Sequence, residues 1–184
     1  MSRSAVTLRA ARPGDAAELV RLWTLALRRT DASEQQADIV SVIDRAEAAD
    51  DEAVVVAELD GRLAGAVHLS ITTVTPINLE PMVVAVSPQV FPEFRRHGVG
   101  TALLEAAVEF AEANGVGHLG SGAVSGDRVA NRFLARLALA PQALLRVGAT
   151  HAVRAKLTPM TKARPVTEVL RRRRFQRRVQ TTAR

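Results

Sequence analysis

From Met82 to Val90 the chain is apolar and β-branched, from Phe91 to His97 it is mostly polar, and after Gly98-Val99-Gly100 apolar residues recur at helical spacing. Leu103, Leu104, Ala107, Val108 and Ala111 make that helical face. The succession predicts a buried strand, a short loop and a helix entered through two glycines. This arrangement strongly constrains the fold. The first turn of a helix leaves backbone N–H groups without intrahelical acceptors. The helix dipole adds about half a positive charge there. The two together make an anion site. Gly98 and Gly100 remove side chains that would keep an anion off the backbone, and Arg95 and Arg96 add positive charge at the rim. A Gly-x-Gly pair alone equally suits a tight strand-to-helix turn with no ligand. No Gly-Lys-Ser/Thr follows, so the segment is not a P-loop. Leu103 stands where the dinucleotide-binding fingerprint has its third glycine.

The rest of the chain builds around this segment. Val6–Ala10 reads as a first strand, and Asp15 with Glu18 as a helix start followed by Leu19, Leu22, Trp23, Ala26 and Leu27. Ser33 with Gln36 opens a second helix with Ile39, Val42, Ile43 and Ala46 on its apolar face. Glu52–Leu59 and about Leu63–Val74 are strands joined at Asp60-Gly61, a hairpin signal, and Pro76 to Pro81 connects onward. Pro88 cannot donate to a ladder, so it implies a bulge or a missing partner strand inside Met82–Val90. After the central helix, Asn114-Gly115 is a stop signal. His118–Val124 is a strand, and Asp127 caps a helix with Ala130, Phe133, Leu134 and Leu137 inward. Pro141 to Leu157 reads as two short strands broken near Gly148. The expected order is β-α-α-β-β-β-α-β-α-β-β, an α/β fold with a mixed, mostly antiparallel sheet flanked by helices.

The run Val90-x-Pro92-x-Phe94-Arg95-x-x-Gly98-x-Gly100 resembles the signature loop of the GNAT superfamily of acyl-CoA N-acyltransferases. That signature is (Arg/Gln)-x-x-Gly-x-(Gly/Ala) after a strand ending Val-x-Pro. The element order from Val6 to Leu157 is similar as well, and Asp127 to Leu139 resembles the family's second helix motif. The resemblance implies a GNAT-like N-acetyltransferase domain over residues 1–160, with residues 161–184 as a basic tail. It implies acetyl-CoA as co-substrate and transfer of its acetyl group to a primary amine on a small molecule or peptide. Backbone amides of Arg96, His97, Gly98, Val99, Gly100 and Thr101 would hold the pyrophosphate, with Arg95 beside them. The strand end at Gln89 and Val90 would meet the pantetheine arm, and Asp127 either contacts the ligand or simply caps its helix. A homodimer is compatible with the resemblance.

Three departures bear on catalysis. The family's general-acid tyrosine aligns with Leu134, and the chain contains no tyrosine. The usual asparagine opening the later helix is Asp127. The usual base, a glutamate in the strand before the loop, depends on register. If Val86-x-Pro88 ends the strand, Glu80 lies near the position but the loop needs an insertion. If Val90-x-Pro92 ends it, the spacing is standard, the position is Val84, and Glu80 is a loop residue. The second register is preferred because it needs no insertion. Glu80 and His68 are the candidate bases; His68 has the side chain suited to proton transfer near neutral pH, although a strand histidine often serves as a structural hydrogen-bonder. The missing tyrosine and unplaced base leave open a catalytically silent acyl-CoA-binding domain.

Charge is unevenly distributed. The chain of 184 residues carries +6, but residues 162–184 hold nine Lys or Arg against one acid, Glu168, so the remainder is mildly acidic. Arg171 to Arg178 could neutralise nucleic-acid phosphates, which keeps a nucleic-acid-associated protein as a rival reading. There is no cysteine, which excludes disulfides and thiolate chemistry, and no His/Asp/Glu grouping has metal-ligand spacing. No secretory signal and no membrane-spanning run are visible, so a cytoplasmic location is expected.

Overall fold

The computed structural model describes residues 5–122, 126–142 and 146–157. Its contacts divide into two units, with the boundary between Pro141 and Gln142. The expected boundary near residue 160 and the arginine-rich tail lie outside the described residues.

The first unit is a five-stranded sheet in the order β1-β2-β3-β4-β5. Strands β1 (Val6–Ala10), β2 (Glu52–Leu59), β3 (Arg62–Thr75) and β4 (Asn78–Val90) form an antiparallel meander, and β5 (Leu119–Ser121) joins β4 in parallel. The β2–β3 turn is Asp60-Gly61, with φ of 52° and 74°, the pair of left-handed residues that a tight hairpin demands. Helices α1 (Ala16–Leu22) and α2 (Ala32–Ala48) cover one face. Leu19, Trp23, Ile39 and Ile43 pack there against Val54, Val56 and Ala66. Helix α3 (Val99–Ala113) covers the other face, placing Val99, Leu103, Leu104 and Ala107 against Val67, Leu69 and Ala85. Leu103 is fully buried, which removes about 1.5–3 kcal/mol of apolar surface from water. Helix α4 (Arg128–Arg136) adds Leu134 to the same core.

Several local expectations are corrected. The Asp15 carboxylate does not cap α1. It accepts from Arg9 Nη1 at 2.7 Å and Nη2 at 2.9 Å, and from the Arg12 backbone N–H at 2.7 Å, so its oxygens are spent closing the preceding turn. Helix α1 ends at Leu22, short of Ala26 and Leu27, whose amides turn back to the Trp23 carbonyl; the Trp23 indole N–H donates to the Ser87 carbonyl at 2.9 Å. The cap of α2 is Asp31, which accepts from the Glu34 N–H at 2.9 Å, in place of Ser33. Residues 76–81 are not a connecting segment. Thr75 pairs with Asn78 across a turn of Pro76 and Ile77, so Glu80 belongs to β4. Ala123 and Val124 of the expected fifth strand lie outside the described residues.

In the second unit, Thr150–Leu157 is a helix, α5, where a strand was expected. Its alanines with Arg154, Lys156 and Leu157 are strong helix formers, outnumbering the weaker Thr150, His151 and Val153. Among the described residues no helix is long and apolar enough to cross a membrane.

Candidate active site

The sheet opens where β4 outruns β5. Parallel pairing covers only Val83, Val84 and Ala85 against Leu119, Gly120 and Ser121. Among the described residues, β4 beyond Ala85 pairs with β3 alone. Among the described residues, no strand pairs with the β5-facing edge from Val86 to Val90, and Val86 is 39 % exposed. The expected bulge is present. His68 faces Val86 and Ala66 faces Gln89, so Ser87 and Pro88 together oppose Val67. Ser87 takes φ of 47°, and the Trp23 indole secures its carbonyl. Strand β4 ends at Val90, as in the register that needed no insertion.

A 3-10 turn, Pro92–Phe94, leads from β4 to the helix entrance. Phe94 is buried in the α3-side core, and the Arg62 guanidinium lies 4.9 Å from its ring centroid, which anchors the turn. Arg96 has φ of 65° and Gly98 φ of 86°, with right-handed or extended backbone between and around them. Left-handed residues just ahead of a helix start can turn successive amides to one side, the kind of backbone nest that takes an anion. Helix α3 begins at Val99, with the Ala102 N–H donating to the Gly98 carbonyl at 3.0 Å. Among the described residues, the amides of 96–101 have no intramolecular acceptor. His97 Nδ1 lies 2.8 Å from the Arg95 carbonyl; since a carbonyl only accepts, Nδ1 carries the hydrogen. Arg95, Arg96 and His97 are exposed and make no ion pair among the described residues. At Gly100 an added Cβ would meet Phe133 at 3.7 Å, ordinary contact, whereas at Gly98 it would meet nothing but would carry the strain of positive φ.

Two positions singled out in the sequence lie at and in α4. Asp127 Oδ1 accepts from the Val129 and Ala130 amides at 3.0 and 2.9 Å, so it caps α4. Leu134, the position aligned with the family's tyrosine, is buried in the core. The neighbouring Phe133 lies near Gly100, where its ring would touch an added Cβ.

The two candidate bases are separated. Glu80 sits far out on the β3–β4 arm, with Oε1 3.5 Å from His118 Nδ1; both side chains are over half exposed. Along β4 it is roughly 20 Å from Val86 at about 3.3 Å per residue. His68 is directly opposite Val86 and shares its face. Its side chain is only 18 % exposed, and its Nε2 is buried without a hydrogen bond. Glu52 Oε2 lies 3.5 Å from that nitrogen, and the same oxygen accepts from Arg45 Nε at 2.8 Å. Arg45, chiefly through that hydrogen bond, holds the Glu52 carboxyl below its ordinary range. Sequence reasoning missed Glu52, and no local signal marks it.

Two cavities lie nearby. An apolar groove of about 480 Å³ starts at Thr101 and runs past Leu104, Val108, Leu119 and Leu139. A polar cavity of about 330 Å³ surrounds Arg9, Asp15 and Glu58, where the one guanidinium is paired with both carboxylates. Among the described residues no group of three or more His, Asp or Glu is placed to hold a metal ion.

Residues 17–138 match the model of the acetyltransferase (GNAT) family, and the chain belongs to that family. Solved structures share the fold. A transcriptional regulator from Bacillus halodurans superposes with a TM-score of 0.67 at 18 % identity, over 79 % of this chain and 100 % of its own. An aminoglycoside N-acetyltransferase in complex with CoA gives 0.65 at 19 % identity, over 80 % of this chain and 95 % of its own. A ribosomal-protein-alanine N-acetyltransferase from Brucella melitensis gives 0.60 at 20 % identity, over 79 % of this chain and 99 % of its own. No curated protein matches the sequence closely enough to report.

Proposed function

We propose that the chain is an N-acetyltransferase that uses acetyl-CoA and acetylates a primary amine. The observation that carries this is the run of acceptor-free amides at 96–101, set at a helix N-terminus with positive φ at Arg96 and Gly98. These amides would hold the pyrophosphate, with Arg95 and Arg96 supplying side-chain charge at the rim. The free β4 edge beyond Ala85 offers backbone groups to the pantetheine amides. Acetyl-CoA supplies an activated thioester, whose C–S bond breaks with its electron pair leaving on sulfur as the amine's C–N bond forms.

The protein's own work is positioning and proton removal. His68 is the base best placed for it. It stands one strand spacing, about 4.8 Å, from the point where β4 and β5 part. Val84 occupies the family's usual glutamate position, and His68 is its diagonal neighbour on the same face. Glu80 is too remote along β4 to share that role. Leu134 leaves the family's acid position without a proton donor, which a thiolate leaving group tolerates. The fold neighbours act on an aminoglycoside and on a ribosomal-protein alanine, so the acceptor is sought among sugar amines and peptide N-termini. The test is thiol release from acetyl-CoA across a panel of such amines. Release with at least one amine is expected; tight CoA binding without release from any would favour a silent acyl-CoA-binding domain.

A further inference from the structure

His68 Nε2 is the buried side-chain polar atom among the described residues that finds no hydrogen-bond partner. Buried polar nitrogens are seldom left so, because an unmade bond costs about 1–3 kcal/mol. The group aimed at it is a carboxylate. Glu52 pairs with Ser70 across β2 and β3, which puts it diagonally beside His68 on the α1–α2 face. Its Oε2 is 3.5 Å from Nε2, slightly beyond hydrogen-bond length, and Arg45 Nε of α2 donates to that same oxygen at 2.8 Å. Around His68, β2 presents Val54 and Glu52, β4 presents Val86, and α2 presents Arg45. Glu52 is therefore the anion positioned to act on the ring. His68 Nδ1 makes no hydrogen bond among the described residues, so it is available to a substrate.

We propose that Glu52, clamped by Arg45, is a positioning residue that accepts the Nε2–H of His68 and so presents Nδ1 to the acceptor amine. This rests on the reading of His68 as the base. The carboxylate selects the tautomer, holds the ring against the sheet, and stabilises the imidazolium formed when Nδ1 takes the amine's proton. The contact shortens to a hydrogen bond when the site is filled, as catalytic hydrogen bonds commonly do. In proton terms nothing else is required: the amine loses one proton, the imidazole gains it, and Glu52 stays ionised.

The experiment is nitrogen-resolved NMR of the histidine side chains in the full chain with CoA, His68 being assigned by comparison with His68→Gln. A slowly exchanging proton on His68 Nε2 is expected. Glu52→Gln keeps an oxygen acceptor and should retain the signal, whereas Glu52→Ala should lose it to solvent exchange. Thiol release should fall at least about tenfold in Glu52→Ala, with the KM for acetyl-CoA unchanged. A proton on Nδ1 in the wild type, or an Nε2 signal untouched by Glu52→Ala, would overturn the assignment. Undiminished turnover in His68→Gln with the Glu52 effect on the signal intact would instead overturn the base reading and leave the positioning contact standing.

Discussion

Gly98→Glu separates the anion site from the fold it sits in. Gly98 has φ of 86° and an added Cβ would meet no atom within 4 Å, so a side chain there is accommodated sterically while its charge lies beside the amides of 96–101. The backbone strain of a left-handed non-glycine residue costs about 1–2 kcal/mol. For a domain of this size that lowers Tm by roughly 2–8 °C. The carboxylate adds repulsion toward a bound diphosphate. At a separation of about 5 Å, each pair of unit charges costs about 1 kcal/mol in bulk water and about 3 kcal/mol at an effective dielectric of 20. Two phosphate charges make that at least about 2 kcal/mol, or roughly 30-fold in Kd. Gly98→Ala carries the same strain without the charge, so it should share the Tm loss while keeping most of the affinity. Calorimetric titration with CoA and thermal unfolding of both variants supply the readouts. Unchanged affinity in folded Gly98→Glu, or equal loss of affinity in the two variants, would refute an electrostatic site at 96–101.

Three further outcomes follow from the packing. Gly65→Ala would place a Cβ 2.6 Å from the Gln89 carbonyl and 3.1 Å from Val99 Cγ1, so it should destabilise by about 1–3 kcal/mol in urea titrations and weaken CoA binding by shifting the β4 end. Ala138 ends α4 with φ of 61°, where the Leu139 amide reaches back to the Leu134 carbonyl at 3.1 Å; Ala138→Gly should therefore raise stability by about 0.5–1 kcal/mol, seen as a Tm higher by roughly 2 °C. Hydrogen bonding from Arg9, the largest cause, holds the Asp15 carboxyl below its ordinary range. A depressed folded value stabilises above the unfolded pKa of about 3.9 and is lost as pH falls through the folded one. Asp15→Asn should thus cost about 1–2 kcal/mol at pH 7, and the gap from wild type should close as urea titrations move to acid pH.

Much of this protein is written in short stretches of chain. Asp60-Gly61 makes its hairpin, Pro88 forces its bulge, and Gly98 turns the chain into α3, because each acts through its own φ or its own missing N–H. The amide nest belongs with these, since helix entry alone leaves donors free. Longer-range competition decided the rest. Asp15 was free to cap α1 until Arg9 of the neighbouring strand took its carboxylate. Pro76 to Pro81 reads as a connection, yet cross-strand pairing draws Asn78 to Pro81 into the arm and carries Glu80 away from the site. Glu52 and His68 lie on different strands, and only the β2–β3 register brings carboxylate and imidazole within 3.5 Å. Backbone conformation is a local property and could be read from residue types, whereas a side chain's partner depends on which surfaces the folded sheet brings together.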